Sequence, residues 1–180
     1  MIPINLYASI ANYYLMNIHV YDACALIYLT KIKVKEKLPL LGSVIVSPTV
    51  KNELIADINR FSDAILLKHN IDIKIIEETK VKLNDGIFSK NLGKGENETI
   101  LISIRNEGIP VTDDHQAINY AVNCGLKPKT SELILLDLLK DNIISHKEFQ
   151  TFFNELAHIK SLKPDIVLFF KKKAEEIIKK

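Results

Sequence analysis

Cysteine is scarce in this chain, and the two that occur are poorly placed for chemistry. Cys24 and Cys124 lie far apart, form no CxxC pair and have no histidine at metal-ligand spacing. That pattern speaks against a zinc site and gives no sign of an oxidising compartment, so both are expected to be buried free thiols. Long apolar runs are missing, so no segment is expected to span a membrane. The first 16 residues are apolar and rich in tyrosine but lack a basic leading region and a cleavage site, which points to a cytoplasmic protein. An excess of one charge is also lacking. The net charge is only +2, too small for a global field that would draw in a nucleic acid. Lys171, Lys172, Lys173, Lys179 and Lys180 do gather at the end, a pattern read first as the solvated face of a terminal helix. Gly93-Lys94-Gly95 has neither the dinucleotide fingerprint nor the P-loop context. A phosphohydrolase with an Asp nucleophile would want a second Asp two residues after Asp22, and Cys24 stands there.

What is present is a chain of 180 residues, 47% hydrophobic, which suits one domain with a real core. Asn17-Ile18-His19-Val20-Tyr21 reads as a short strand ending at Asp22, and an uneven helical run continues to Leu41. Gly42 and Ser43 break it before the apolar Val44-Ile45-Val46. Ser47-Pro48 has the form of an N-cap with Pro at the first helical position, and Val50, Leu54 and Ile58 recur at helical spacing. The pattern then predicts a helix over 60–68 and a strand over 71–76. Residues 77–94 form the most loop-like stretch, with Asn84-Asp85-Gly86 as a turn signal. A helix to about Asn106 is closed by Gly108, and Ile109-Pro110-Val111-Thr112 is the next strand. Helices follow over 115–123, 131–141, 145–160 and from Pro164 onward. Strands separated by helices predict an α/β domain with a parallel sheet and a helical C-terminal part.

In a parallel sheet, ligands gather at the carboxyl ends of the strands. Asp22 ends one predicted strand and Asp113-Asp114 ends another, while Glu96 opens a helix and Glu53 lies one turn into its own. These acids come from distant parts of the chain and can converge on one pocket. Mg²⁺ and Mn²⁺ prefer oxygen ligands, and crowded carboxylates repel unless a cation sits between them. Such ions activate water and stabilise the leaving oxygen in phosphodiester hydrolysis. Each acid also has a plainer reading: Asp22 as a helix cap, Glu53 as a solvated helix residue, Glu96 and Glu98 as complements to a helix dipole, Asp113-Asp114 as a turn and a cap. Residues two apart do not share a helix face, so only one of Glu96 and Glu98 is expected in the site. Glu96 borders the stripe of Ile100, Leu101 and Ile104, whereas Glu98 leans toward Arg105, so Glu96 is the candidate.

With those segments in place, the chain resembles a PIN domain over 17–141. Val20-Tyr21-Asp22-Ala23-Cys24-Ala25-Leu26-Ile27 is similar to the family's first strand and leading Asp. Val46-Ser47-Pro48-Thr49-Val50-Lys51-Asn52-Glu53-Leu54 resembles the strand–Pro–helix segment with the second acid. Gly95-Glu96-Asn97-Glu98-Thr99-Ile100 resembles the helix start with the third, and Val111-Thr112-Asp113-Asp114 the strand end with the fourth. The resemblance implies a three-layer α/β/α fold and a catalytic set of Asp22, Glu53, Glu96 and Asp114. It also implies Mg²⁺ or Mn²⁺ held by Asp22, Glu96, Asp113 and Asp114, and cleavage of RNA. Many relatives are homodimeric toxins restrained by a small antitoxin, and others act in RNA processing or decay. Where the family often has a hydroxyl residue after the first Asp, this chain has Ala23 and Cys24, and a thiol is the weaker donor. Residues 1–16 are read as an N-terminal extension, 17–180 as one PIN-like domain with its core in 17–141 and C-terminal helices in 145–180. The alternative is a catalytically weak PIN fold that binds RNA or a protein, and four intact acids argue against it.

Overall fold

A computed structural model of the chain describes residues 17–56, 62–79 and 89–179. The expected extension over 1–16, the Asn84-Asp85-Gly86 turn, the start of the helix expected from 60 and Lys180 lie outside the described residues.

Strand β1 (Ile18–Tyr21) leads directly into helix α1 (Ala23–Lys31), because the Asp22 side chain accepts a hydrogen bond from the Ala25 N–H and caps it. The helical run expected to reach Leu41 stops at Lys31. Lys33 takes a positive φ of 60°, and a separate 3-10 stretch (Lys35–Leu40) containing Pro39 follows. Proline lacks the N–H that a continuing α-helix would use. Gly42, at φ 146°, turns the chain into β2 (Ser43–Val46), and a side chain there would run into the Asn17 carbonyl. Helix α2 (Pro48–Ile55) starts as its sequence predicts, with the Ser47 hydroxyl accepting from Val50 N–H at 3.1 Å.

The strand expected over 71–76 is not formed. Helix α3 (Ser62–Asp72) absorbs Ile71, Lys74 turns the chain at φ 59°, and the N–H groups of Ile75 and Ile76 bond back to the Asn70 carbonyl. Those donors are spent on closing the helix, so pairing begins only at β3 (Glu77–Glu78). Then come α4 (Lys94–Arg105), β4 (Ile109–Val111), α5 (His115–Asn123), α6 (Ser131–Lys140), α7 (His146–Ile159) and α8 (Pro164–Ile178). The strands form one parallel sheet in the order β3-β2-β1-β4, with Val20 between Ile45 and Pro110.

Alternation along the strands divides the sheet's faces. Val20 and Ile45 pack against Ile102 of α4, beside a small cluster in which Ile100 meets Ala117 and Ala121 of α5. Tyr21, Val44, Val46 and Val111 enter the larger core with Leu26 and Leu29 of α1, Ile134 and Leu138 of α6, and Phe149 and Phe153 of α7. Helices therefore cover both faces, giving three layers, and α6–α8 add their apolar stripes to the larger core. Phe153 is fully buried, its ring centroid 5.5 Å from Phe149 and 5.7 Å from Phe170 of α8. Truncating it removes an aromatic body from the packing of α7 against α8. Phe153→Ala should destabilise the fold by about 3–5 kcal/mol, read from the midpoint of chemical denaturation.

Candidate active site at the strand ends

Asp22 sits at the carboxyl end of β1, one of the two inner strands, and is 4% exposed. Its backbone N–H continues the pairing to β4 by donating to the Val111 carbonyl at 3.0 Å. Its carboxylate is crowded with donors. Oδ1 accepts from Ala25 N–H at 2.9 Å, the Thr112 hydroxyl donates to Oδ2, and the Cys24 thiol lies 3.3 and 3.4 Å from the two oxygens. The thiol thus takes the place where relatives' hydroxyl was expected, at the longer distance sulfur imposes. Burial, and then the nearby Asp22 charge, push the Cys24 thiol far above its ordinary range, so it stays a donor. Both cysteines are free and half-buried rather than fully buried.

Burial also raises Asp22, to about 6, outweighing the hydrogen bonds from Thr112, Ala25 and Cys24, and the Asp113 charge adds to the rise. Asp113 and Asp114 follow β4 but face different partners. Asp113 Oδ1 accepts from Ser131 N–H at 3.0 Å and from Lys160 Nζ at 2.8 Å, while its Oδ2 takes the Ser131 hydroxyl. Asp114 is exposed, caps α5 by accepting from Ala117 N–H at 2.8 Å, and donates its own N–H to the Thr112 hydroxyl at 3.2 Å. Thr112 therefore bridges Asp22 and Asp114.

A second acidic group lies beside α2, which starts at the end of β2. Glu98, 4% exposed, accepts from the Thr49 N–H at 3.2 Å and the Thr49 hydroxyl at 2.9 Å. The sequence pattern leaned Glu98 toward Arg105; the fold instead turns it inward, because it answers the open N–H groups of α2's first turn. Glu96 is half-buried, and its carboxylate folds back over Gly93 at the start of its own helix. Glu53 is exposed and lies against Gly95, where a side chain would meet its Oε1 at 3.1 Å. Partial desolvation and the charges of Glu96 and Glu98 raise its carboxyl.

The expected acids are thus brought to one edge of the sheet, in two groups: Asp22, Asp113 and Asp114 at the ends of β1 and β4, and Glu53, Glu96 and Glu98 beside α2. Among the described residues, no three His, Cys, Asp or Glu side chains stand close enough to hold a metal ion. The donors are nonetheless all oxygens and like charges crowd in both groups, so the residues fit a hard divalent cation in kind, though not as a closed cage. Sequence reasoning weighed Glu98 and set it aside for Glu96, and it missed Thr112, Glu132 and Lys160. Thr112 was legible as the residue at a strand end just before two acids; Lys160 gave no signal, being 47 residues from Asp113.

A parallel sheet with acids along its carboxyl edge places them where ligands gather in open α/β folds. A family model described as a PIN domain matches residues 18–176, nearly the whole chain, and the chain belongs to that family. No curated protein and no solved structure matches it significantly. Membership suggests nuclease-like activity, and among the described residues no helix is long and apolar enough to cross a membrane.

The raised Asp22 carboxyl fixes the sign of a pH effect. Its folded value of about 6 exceeds the ordinary 3.8, so the protonated form's stability is complete below about 3.8 and is lost as pH rises through about 6. Asn stays neutral and still caps a helix. In EDTA, Asp22→Asn should be more stable than wild type by on the order of 2–3 kcal/mol at pH 7.5. That gap should close between pH 6 and pH 3.8 in thermal melts. A lower melting temperature for Asp22→Asn at every pH would make Asp22 a cap and nothing more.

Proposed function

We propose that this chain is a metal-dependent endoribonuclease that hydrolyses RNA phosphodiester bonds with Mg²⁺ or Mn²⁺. The observation that carries the reading is the buried Asp22 carboxylate at the end of the inner strand β1, which takes the Thr112 hydroxyl while that hydroxyl accepts the backbone N–H of the exposed Asp114. Capping α1 does not require the carboxylate to be buried, and burying an acid near Asp113 and Asp114 is costly unless positive charge offsets it, which Lys160 supplies to Asp113 alone of the three. Asp22 and Asp114 would hold the ion from β1 and β4, with Glu53 and Glu96 from the α2 side and Glu98 as the inner acid of that group. Bound there, the ion would supply positive charge for the reacting phosphate and lower the pKa of water. Cys24 and Thr112 aim the Asp22 carboxylate, and the Thr49 donors aim Glu98. RNA is the substrate in this reading, and the role is that of the toxin in a toxin–antitoxin pair, with a small antitoxin and a second copy of the chain as partners.

A PIN fold that only binds RNA or protein would need none of these acids ionised together. The two are separated by incubating the protein with RNA and Mg²⁺, Mn²⁺ or EDTA. Cleavage should require the cation, vanish in EDTA and fall by on the order of 100-fold or more in Asp22→Asn. Undiminished cleavage in EDTA by protein free of contaminating nuclease would contradict the mechanism, and binding without cleavage in any cation would favour the non-enzymatic fold.

A further inference from the structure

Lys160 closes α7 and reaches into the cleft of about 650 Å³ that Cys24, Asp113 and Asp114 also line. Its ammonium lies 2.8 Å from Asp113 Oδ1 and 2.5 Å from Glu132 Oε1, at the edge of the proposed metal corner. The three side chains are 13, 3 and 5% exposed, so this is a largely desolvated ion cluster rather than a surface pair. The ammonium also stands 5.5 Å from the centre of the Tyr28 ring, which covers it on a further side. Desolvation pulls the Lys160 ammonium toward neutrality, but Asp113 and Glu132 outweigh it and keep it charged.

A carboxylate has about four lone-pair positions. On Asp113, Ser131 N–H, the Ser131 hydroxyl and Lys160 fill three of them. Asp114 differs, giving a side-chain oxygen to Ala117 N–H while remaining exposed. A divalent ion approaching Asp113 would have to displace an ammonium that is covalently attached and paired twice. One approaching Asp22 and Asp114 meets only neutral donors, the Ala25 and Ala117 N–H groups, the Thr112 hydroxyl and the Cys24 thiol, and no ammonium.

We propose that Lys160 is a tethered counter-ion and a positioning residue: it holds the place between Asp113 and Glu132, withholds Asp113 from the metal and limits this corner to one divalent cation. The inference rests on the metal-nuclease reading of the Asp22–Asp114 corner. Without the ammonium, Asp113 and Glu132 become two buried, unneutralised oxygen donors, a place where a divalent ion can substitute. A lysine that merely fastened α7 to the end of β4 would alter stability but not the number of ions bound.

The test is Mn²⁺ titration by calorimetry, with thermal melts in EDTA and in Mn²⁺, on wild type, Lys160→Arg, Lys160→Met and Asp113→Asn. Wild type and Lys160→Arg should bind one Mn²⁺ per chain, and Asp113→Asn should keep an affinity close to wild type. Lys160→Met should bind an additional Mn²⁺ and show a larger Mn²⁺-dependent rise in melting temperature. If Lys160→Met is unfolded in EDTA, Mn²⁺ should restore its circular dichroism, and failure to do so overturns the proposal. Loss of Mn²⁺ binding in Asp113→Asn, or wild-type stoichiometry and shift in Lys160→Met, overturns it as well. A wild type that binds no Mn²⁺ beside a Lys160→Met that does would count against the nuclease reading while supporting the counter-ion role.

Discussion

The hydrogen bond from the Thr112 hydroxyl to Asp22 joins the ends of β1 and β4, and the surrounding structure is arranged around that buried carboxylate. The same side chain caps α1, and the same residue's N–H extends the strand pairing to Val111. Strand, neighbouring strand and following helix are thereby locked at one residue. The constraint is electrostatic. An ionised carboxylate at this depth needs compensation by donors, by a proton or by a cation, and the donors present leave its pKa raised to about 6.

The other acids meet the same problem in different ways, and the differences sort their roles. Asp113 is neutralised within the protein by Lys160 and held by Ser131. Glu98 is satisfied by the Thr49 donors at the start of α2, so it can be inward and ordered without a metal. Partial burial, and then the charges of Glu96 and Glu98, raise the Glu53 carboxyl above its ordinary range. Among the described residues, no cationic side chain pairs with Asp22, Glu53 or the exposed Asp114. In the proposed nuclease, stability and activity would oppose each other at these positions, because its chemistry demands like charges side by side.

The parallel α/β plan was legible because it follows from local patterns: apolar strands ending in acids, Ser47-Pro48 opening α2, and Gly42 at a turn only glycine takes easily. Placement of Asp22, Asp113 and Asp114 at strand ends followed from the same patterns. The misreadings arose where tertiary contacts decided. Ile71 to Ile76 alternate like a strand, yet their N–H groups close α3. Glu98 looked outward on a helical projection because its partner, Thr49, comes from a separate element. Lys160 belonged to an ordinary amphipathic helix end, and only its ion pairs with Asp113 and with Glu132 of α6 give it a role.

A crystal soaked in Mn²⁺ and measured for anomalous scattering bears most directly on whether the acids along this edge form a metal site. The account predicts a peak at coordination distance, about 2.1 Å, from oxygens of Asp22 and Asp114, with the Glu53–Glu98 group drawn toward it and no peak between Asp113 and Glu132. A map with no Mn²⁺ at Asp22, or with Mn²⁺ only at acids away from the strand ends, would contradict it.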